Sequence, residues 1–456
     1  MKIGGLGFPV YNNKIKNKSQ EEKEIFKRIP YLSIKHGGSI RNDNCKFNFR
    51  EDDGNQIVCR HLAAQYALDV LNNMVRGKVK MSDFATPKSI QNHVTSEVEL
   101  YYKEIIEKSQ TVYLIDNNDF GRMLVYIFHT MESHGETHLA LFLANYYHAM
   151  AVRLSIKRDN RLYYVINFYD PNVTNHTIRC KIYDLSLLET HTLKNYLEEK
   201  DYFEYYQNDC VNITTASICE DPNILSVRQR NSDRELTLIN NQLPLVPSGR
   251  LLMLLVINNF PLEIIKLVNK IIEESLLSPN EIYDIFNVNK SDEMPILYYA
   301  LQQGEYLIVL ALGRLIECIP EGRRKEVLDA KNDRGIPGLH MAMLGGHVSS
   351  IKAYGKLLEL IPENQRAELL DIKNPTEDHI FFQAIKRGDK EAAIAFFGLL
   401  DYLLLLEEEE FIAATDKNGN SLLTLCLKTG GNIARDTFNA VLDSVKNNSE
   451  NTAGQD

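Results

Sequence analysis

The C-terminal part of the chain repeats itself, and this limits its fold more than any other feature. Aligning "PILYYALQQGEYLIVLALGRLIE" with "PGLHMAMLGGHVSSIKAYGKLLE", "HIFFQAIKRGDKEAAIAFFGLLD" and "SLLTLCLKTGGNIARDTFNAVLD" puts Ala300, Ala342, Ala384 and Cys426 in one column. Gly304, Gly346, Gly388 and Gly430 fall in another, so the period is 42 residues. A weaker copy, "MLLVINNFPLEIIKLVNKIIE", precedes them by 44. Each unit reads as helix, glycine turn, helix, with apolar residues at i, i+3 and i+4, and is led by a polar turn such as "AKNDRG" or "TDKNGN". One helical pair cannot bury its own apolar faces, so the units must stack into an all-α solenoid over residues 250–445.

The stretch "DRGIPGLHMAMLGGHVSSIKAYGKLLE" resembles the ankyrin pattern, lengthened beyond its usual period, and implies an ankyrin-like repeat whose concave side meets a partner. His340 and His347 fall at turn positions of such a repeat, where local hydrogen bonds are expected. The acidic run Glu407 to Glu410 reads as a solvated turn between helices.

Upstream, the proline-broken "NNQLPLVPSG" (240–249) marks a domain boundary. Residues 1–35 are polar and aperiodic, a flexible leader; 36–245 mix helical and strand patterns, an α+β domain; 446–456 read as a disordered tail. "LKNYLEEKDYFEYYQ" within the α+β part looks like a solvated helix. A net charge of -10 without a visible basic run argues against a nucleic-acid clamp. The seven cysteines are odd in number, scattered and without a CxxC pair, as expected of reduced thiols rather than a disulfide framework or a cysteine zinc site. No apolar run approaches the roughly 18 residues of a membrane span, and no secretory signal core is present.

The chemistry lies in the α+β part. In "HAMAVRLSI" the residues His148, Met150, Val152, Leu154 and Ile156 share one face, as do Tyr164, Ile166, Phe168 and Asp170 in "LYYVINFYD". With "KRDNR" as a turn centred on Asp159, cross-strand partners have numbers summing to 318, which sets His148 opposite Asp170. Opposed side chains stand close enough for a carboxylate to orient an imidazole and support its charge. A turn bulge would change this register.

A nucleophile is offered by "EDDGNQIVCRHLAAQYALDVLNNM" (51–74), where Leu62, Ala63, Tyr66, Ala67, Val70, Leu71 and Met74 form one helical stripe. Cys59 then sits at the helix start, where the dipole favours thiolate. A cysteine at a helix start, a later strand histidine and a last acid is the chain order of papain-like thiol hydrolases. Gln56 and Asn55 are the nearest side-chain amides for an oxyanion hole, and Gln56 is the candidate. His61 points to another side of the helix and reads as capping or packing.

Two rival readings accompany this one. "HTMESHGETHL" (129–139) places His134 and His138 at i, i+4, which on one helix could grip zinc, but Glu136 is at the wrong offset for a metalloprotease motif and a third ligand is wanting. No metal or cofactor is therefore expected. Alternatively the protein is an ankyrin-like adaptor without catalysis. A Cys-His-Asp triad would also serve acyl transfer or deamidation, through the same thioester.

"IVCRHLA" (57–63), "YYHAMAV" (146–152) and "YDPN" (169–172), followed by "AKNDRG" and the repeat wording, resemble the type III secreted effectors of the Shigella enterotoxin two and EspL family, over roughly residues 45 to 440. The resemblance implies a papain-like cysteine protease with Cys59 as nucleophile, His148 as general base and acid, and Asp170 as orienting carboxylate. It further implies secretion through the leader, a bacterial secretion chaperone bound to that leader, action in the host cytoplasm, and host substrates carrying a RIP-homotypic interaction motif of necroptosis and inflammatory signalling.

Overall fold

The computed structural model describes residues 31–36, 47–48, 56–73, 78–145, 147–206, 213–228, 235–238, 249–286, 294–370, 380–403, 419, 424, 436–441 and 443. Most of the leader, the tail, Asn55, Cys426, Gly430 and the Glu407 to Glu410 run lie outside them. The chain divides into two compact units, Met1–Val246 and Pro247–Asp456. It is a mixed α/β protein: one unit is built on a sheet, and the described elements of the other are helices. No helix among the described residues is long and apolar enough to cross a membrane.

The sheet is made of β1 (Tyr31–His36), β4 (Thr111–Asp116), β5 (His138–Ala144), β6 (Ala149–Arg158), β7 (Leu162–Tyr169), β8 (His176–Ile182), β9 (Ile213–Ile218) and β10 (Glu235–Leu238). Its order is β1-β8-β7-β6-β5-β9-β4-β10, and β2 (Phe47–Asn48) pairs with β3 (Gln56–Ile57) apart from it. Neighbours run antiparallel except β10, which lies parallel to β4. Tyr31 to Lys35, assigned to a flexible leader by sequence, instead belong to an edge strand paired with β8, because the alternation of "YLSIKH" suits a pleated edge.

Alternation along the strands divides the sheet into two faces. Leu139, Leu141 and Leu143 of β5, Met150, Val152 and Leu154 of β6, and Ile166 and Phe168 of β7 join the Phe120–His134 helix in one buried core. Against the opposite face packs the Cys59–Asn72 helix, which contacts β5 and β6 and stacks Tyr66 on Tyr169 at 4.6 Å between ring centres. This places the start of that helix over the ends of the strands.

The helical unit realises the repeat. Ile296–Gln303 packs on Gly338–Leu344 and the latter on Ile380–Arg387, while Tyr306–Glu317 packs on Val348–Leu358 and that on Lys390–Phe397. Gly304, Gly346 and Gly388 all have positive φ (79°, 67° and 82°), which explains the glycine column. Short third helices, Glu321–Leu328 and Arg366–Leu370, fill the connections, and they account for the length beyond a simple helical pair. Arg324 and Arg366, one period apart, each donate from Nε to a carbonyl five residues back (Ile319, Ile361) and from Nη1 to the next repeat (Leu360, Tyr402). His347 departs from the expected local bond: its Nε2 lies 3.1 Å from the Gln302 carbonyl of the preceding repeat, because Gly304 leaves room for its ring.

Candidate active site

Three elements meet at one end of the sheet. The helix starts at Cys59 after Val58, whose extended backbone (φ -123°) breaks the helical run. The ladder of the helix begins with the N–H groups of His61 and Leu62, both donating to the Val58 carbonyl, so the N–H groups of Cys59 and Arg60 form its open N-terminus. His61 caps this end rather than reacting. It accepts the Val58 N–H on Nδ1 at 3.0 Å, and its Nε2 lies 2.6 Å from Glu99, which also holds Arg60 at 3.2 Å. Although burial pushes Glu99 up, hydrogen bonds and charge from His61 and Arg60 outweigh it and hold the carboxyl at about 2.

His148 precedes β6 at the tight turn from β5. Asn145 builds that turn, its Oδ1 accepting the N–H groups of Tyr147 at 2.8 Å and His148 at 2.6 Å. The His148 ring is buried and lies flat on Tyr205, 4.1 Å between centres and 11° from parallel. Its Nε2 is 2.8 Å from Asp170 Oδ1. Asp170 is fixed by the Asp-Pro-Asn turn that ends β7, where the same oxygen accepts the Asn172 N–H at 2.9 Å and Pro171 sets the first helical position.

The pairing is not the one expected from the sequence. Observed partners sum to 320, as in Ala151↔Tyr169 and Arg158↔Leu162, so the hairpin closes around Asn160 and not Asp159. Asp159 donates its N–H to the Arg161 carbonyl, which makes a three-residue turn and moves the register by two. A shift of two keeps every side chain on its face. His148 and Asp170 therefore still meet, diagonally beyond the ends of the strands rather than directly opposed.

Cys59 completes the row. Its thiol hydrogen-bonds to the His148 side chain and accepts the Ala149 N–H. With Nε2 on Asp170, the nitrogen left for sulfur is Nδ1. Burial alone would raise the Cys59 thiol, but the His148 bond and charge, the Ala149 N–H and Arg60 together bring it below its ordinary value. Burial acts against a charged His148, yet Asp170 on one side and Cys59 on the other raise it well above the ordinary histidine range. Burial pushes the other described cysteines (Cys180, Cys219 and Cys318) upward, so Cys59 is the one among them whose thiol is lowered. The lowered thiol and the raised imidazole both favour the thiolate–imidazolium form of the pair.

The remaining candidates lie outside this hydrogen-bonded row. Gln56 is exposed on β3, opposite Asn48, and Ile57 after it is buried. His134 ends the Phe120–His134 helix, Gly135 turns the chain at φ 71°, and His138 opens β5. They do not share a helix face as the i, i+4 spacing suggested, and no group of three or more His, Cys, Asp or Glu that could hold a metal ion occurs among the described residues. A cavity of about 700 Å³ lined by His134, Glu136, His138 and Glu220 does not include Cys59, His148 or Asp170. Tyr205 and Asn145 were not singled out in the sequence. Tyr205 was hidden in a stretch read as solvated, whereas Tyr196, Tyr205 and Tyr206 are all buried; Asn145 carried only the weak signal of an asparagine before "YYH".

A profile of the family described as the ShET2 enterotoxin, N-terminal region, matches residues 9–290, more than half of the chain. The effector protease OspD3 of Shigella flexneri is 30% identical over 299 residues, covering 64% of this chain and 48% of that protein. Ankyrin repeat protein A of Escherichia coli (strain K12) is 28% identical over 313 residues, 64% of this chain and 40% of that protein. The chain thus spans about half the length or less of the curated relatives it matches.

Proposed function

The chain belongs to the ShET2 enterotoxin N-terminal region family, and on that premise we propose that it is a papain-like cysteine protease of a type III secreted effector, with Cys59, His148 and Asp170 as its triad. The observation that carries this reading is the row of sulfur, imidazole and carboxylate, in which the thiol is lowered and the imidazole raised by each other. The similarity to an effector protease supports peptide hydrolysis.

In this mechanism the Cys59 thiolate attacks a peptide carbonyl carbon, and the N–H groups at the helix start stabilise the oxyanion. His148 gives its proton to the leaving amine, then takes one from the water that attacks the thioester, releasing the acyl group as a carboxylic acid and regenerating the thiolate beside a protonated His148. Asp170 holds Nε2 so that Nδ1 faces sulfur. Gln56, three residues before the nucleophile, is the side-chain donor assigned to the oxyanion. The 250–445 repeats, ankyrin-like in wording, recruit the substrate, for which host proteins with a RIP-homotypic interaction motif are proposed. The leader serves secretion and a bacterial chaperone, and the site of action is the host cytoplasm. Deamidation is the second reading, because it uses the same thioester.

The test is to incubate the purified protein and its Cys59→Ser form with host lysate and to sequence the new N-termini. Termini produced only by the unsubstituted protein are expected. Identical termini from both forms would overturn the protease reading, and a mass gain of about 1 Da on an uncut glutamine-containing protein would select deamidation.

A further inference from the structure

The Glu199–Tyr206 helix presses Tyr205 onto the His148 ring, and its last turn is tied to the turn that carries His148. Tyr205, Tyr206 and His148 are all buried. Asn145 joins the two elements: its Oδ1 accepts the N–H groups of Tyr147 and His148, and its Nδ2 donates to the Tyr205 carbonyl at 3.4 Å. Tyr206 anchors the same junction, its hydroxyl bonded to the Asn145 side chain and 2.9 Å from Thr214 Oγ1, which donates to Asn117 at 2.7 Å.

Rings 4.1 Å apart and 11° from parallel leave the imidazole no room to turn edge-on, since edge-to-face pairs need roughly 4.5–7 Å between centres. Rotation about Cβ–Cγ, which would exchange Nδ1 and Nε2, has to pass through that edge-on state. Tyr205 thus keeps Nε2 on Asp170 and Nδ1 towards sulfur. The phenol face also carries negative potential, and a cation within about 6 Å of it is stabilised most where water is excluded. Burial disfavours the charge of His148, while Asp170 at the end of β7 and Cys59 at the helix start favour it. Tyr206 feels the charge of Asp170, and Arg60 acts on Cys59.

We propose that Tyr205 is a positioning residue of the Cys59–His148 pair, its ring face holding the imidazole plane and supporting the imidazolium, with Asn145 keeping helix and turn in register. A tyrosine that only filled space could be replaced by any apolar side chain of similar bulk. Loss of the ring face removes support from the charged imidazole, so its proton leaves at lower pH. The thiol loses its proton beside an imidazolium in either case, and its titration stays where it was. The range in which thiolate and imidazolium coexist therefore narrows from its upper end. That this range serves peptide hydrolysis rests on the protease reading; the support of the imidazolium does not.

The experiment measures iodoacetamide alkylation of Cys59 against pH in the full chain, in the unsubstituted protein, in Tyr205→Phe, in Tyr205→Leu, and with pentafluorophenylalanine in place of Tyr205. Fluorination keeps the shape of the ring but reverses the potential of its face. Tyr205→Phe should retain the upper inflection, whereas the leucine and fluorinated forms should lower it by about 0.5–1.5 pH units with the first rise in place. If circular dichroism shows that leucine unfolds the protein, the fluorinated form, of almost unchanged shape, carries the test. Equal upper inflections in Tyr205→Phe and the fluorinated form overturn the proposal. His148→Ala in the same assay separates the outcomes: a profile that moves on loss of His148 but not on reversal of the ring face removes the role of Tyr205 and leaves the pair. No arm depends on peptide-bond cleavage, so failure of the protease reading is a separate result.

Discussion

At the residue scale, a buried imidazole shared between a carboxylate and a thiol sets the behaviour of the site. Asp170→Asn keeps the shape but donates to Nε2 instead of accepting from it, so the ring loses its charge support and its orientation. Turnover should fall by about 10²–10⁴ with the fold intact, read as kcat against a melting curve. His148 is raised in the folded state, so its charge stabilises the fold fully below the ordinary histidine value of 6.5, and this contribution is lost as pH rises through the folded value. Glu99 behaves in the opposite sense. Held at about 2 against 4.5, it stabilises above 4.5, and this contribution fades as the pH falls towards 2. Glu99→Gln weakens the latch on His61 and should cost about 1–3 kcal/mol in urea unfolding while slowing Cys59 alkylation, because the helix start loosens. A loss of stability without any change in alkylation would show that the latch does not position Cys59.

At the level of elements, the glycine column gives a graded prediction. Gly304 and Gly346 share a left-handed backbone, but a Cβ on Gly304 would meet the His347 ring at 2.4 Å whereas one on Gly346 meets nothing within 4 Å. Both alanine substitutions should cost about 1 kcal/mol for the backbone, and Gly304→Ala should cost measurably more; equal losses in the unfolding of the helical unit would contradict the contact. Much of this was legible in the sequence, because a period of 42 with aligned glycines survives any error in element ends. The apolar stripe from Leu62 to Val70 likewise marked the helix and its start at Cys59. The hairpin was legible in its faces but not in its register, since whether the chain turns on Asp159 or Asn160 depends on turn hydrogen bonds that composition does not fix. Tyr205 was illegible for another reason: beside Glu198, Glu199 and Lys200 a tyrosine reads as surface, and only the tertiary fold presses it onto His148.

For the whole molecule, the separation of chemistry from the repeats makes the functions of the two units testable in the intact chain. Cys59, His148 and Asp170 lie within the sheet-bearing unit, Met1–Val246, and the stacked helical pairs lie in Pro247–Asp456. Neutralising Arg324 and Arg366 to Gln removes bonds that tie each repeat to the next, and should lower the stability of the helical unit by about 1–3 kcal/mol per site. Cys59 alkylation should not change, and a parallel loss of thiol reactivity would show that the units are coupled.

The most direct test of the thiolate–imidazolium pair is the rate of Cys59 alkylation by iodoacetamide as a function of pH, followed by mass spectrometry in the unsubstituted protein and in His148→Ala. With His148 present, the rate should rise at a pH below the ordinary thiol value of 9, with a further inflection above 6.5 where the imidazolium is lost. In His148→Ala, burial is left with weaker opposition and the rise should move towards higher pH. Superimposable profiles for the two proteins would contradict the pairing of Cys59 with His148.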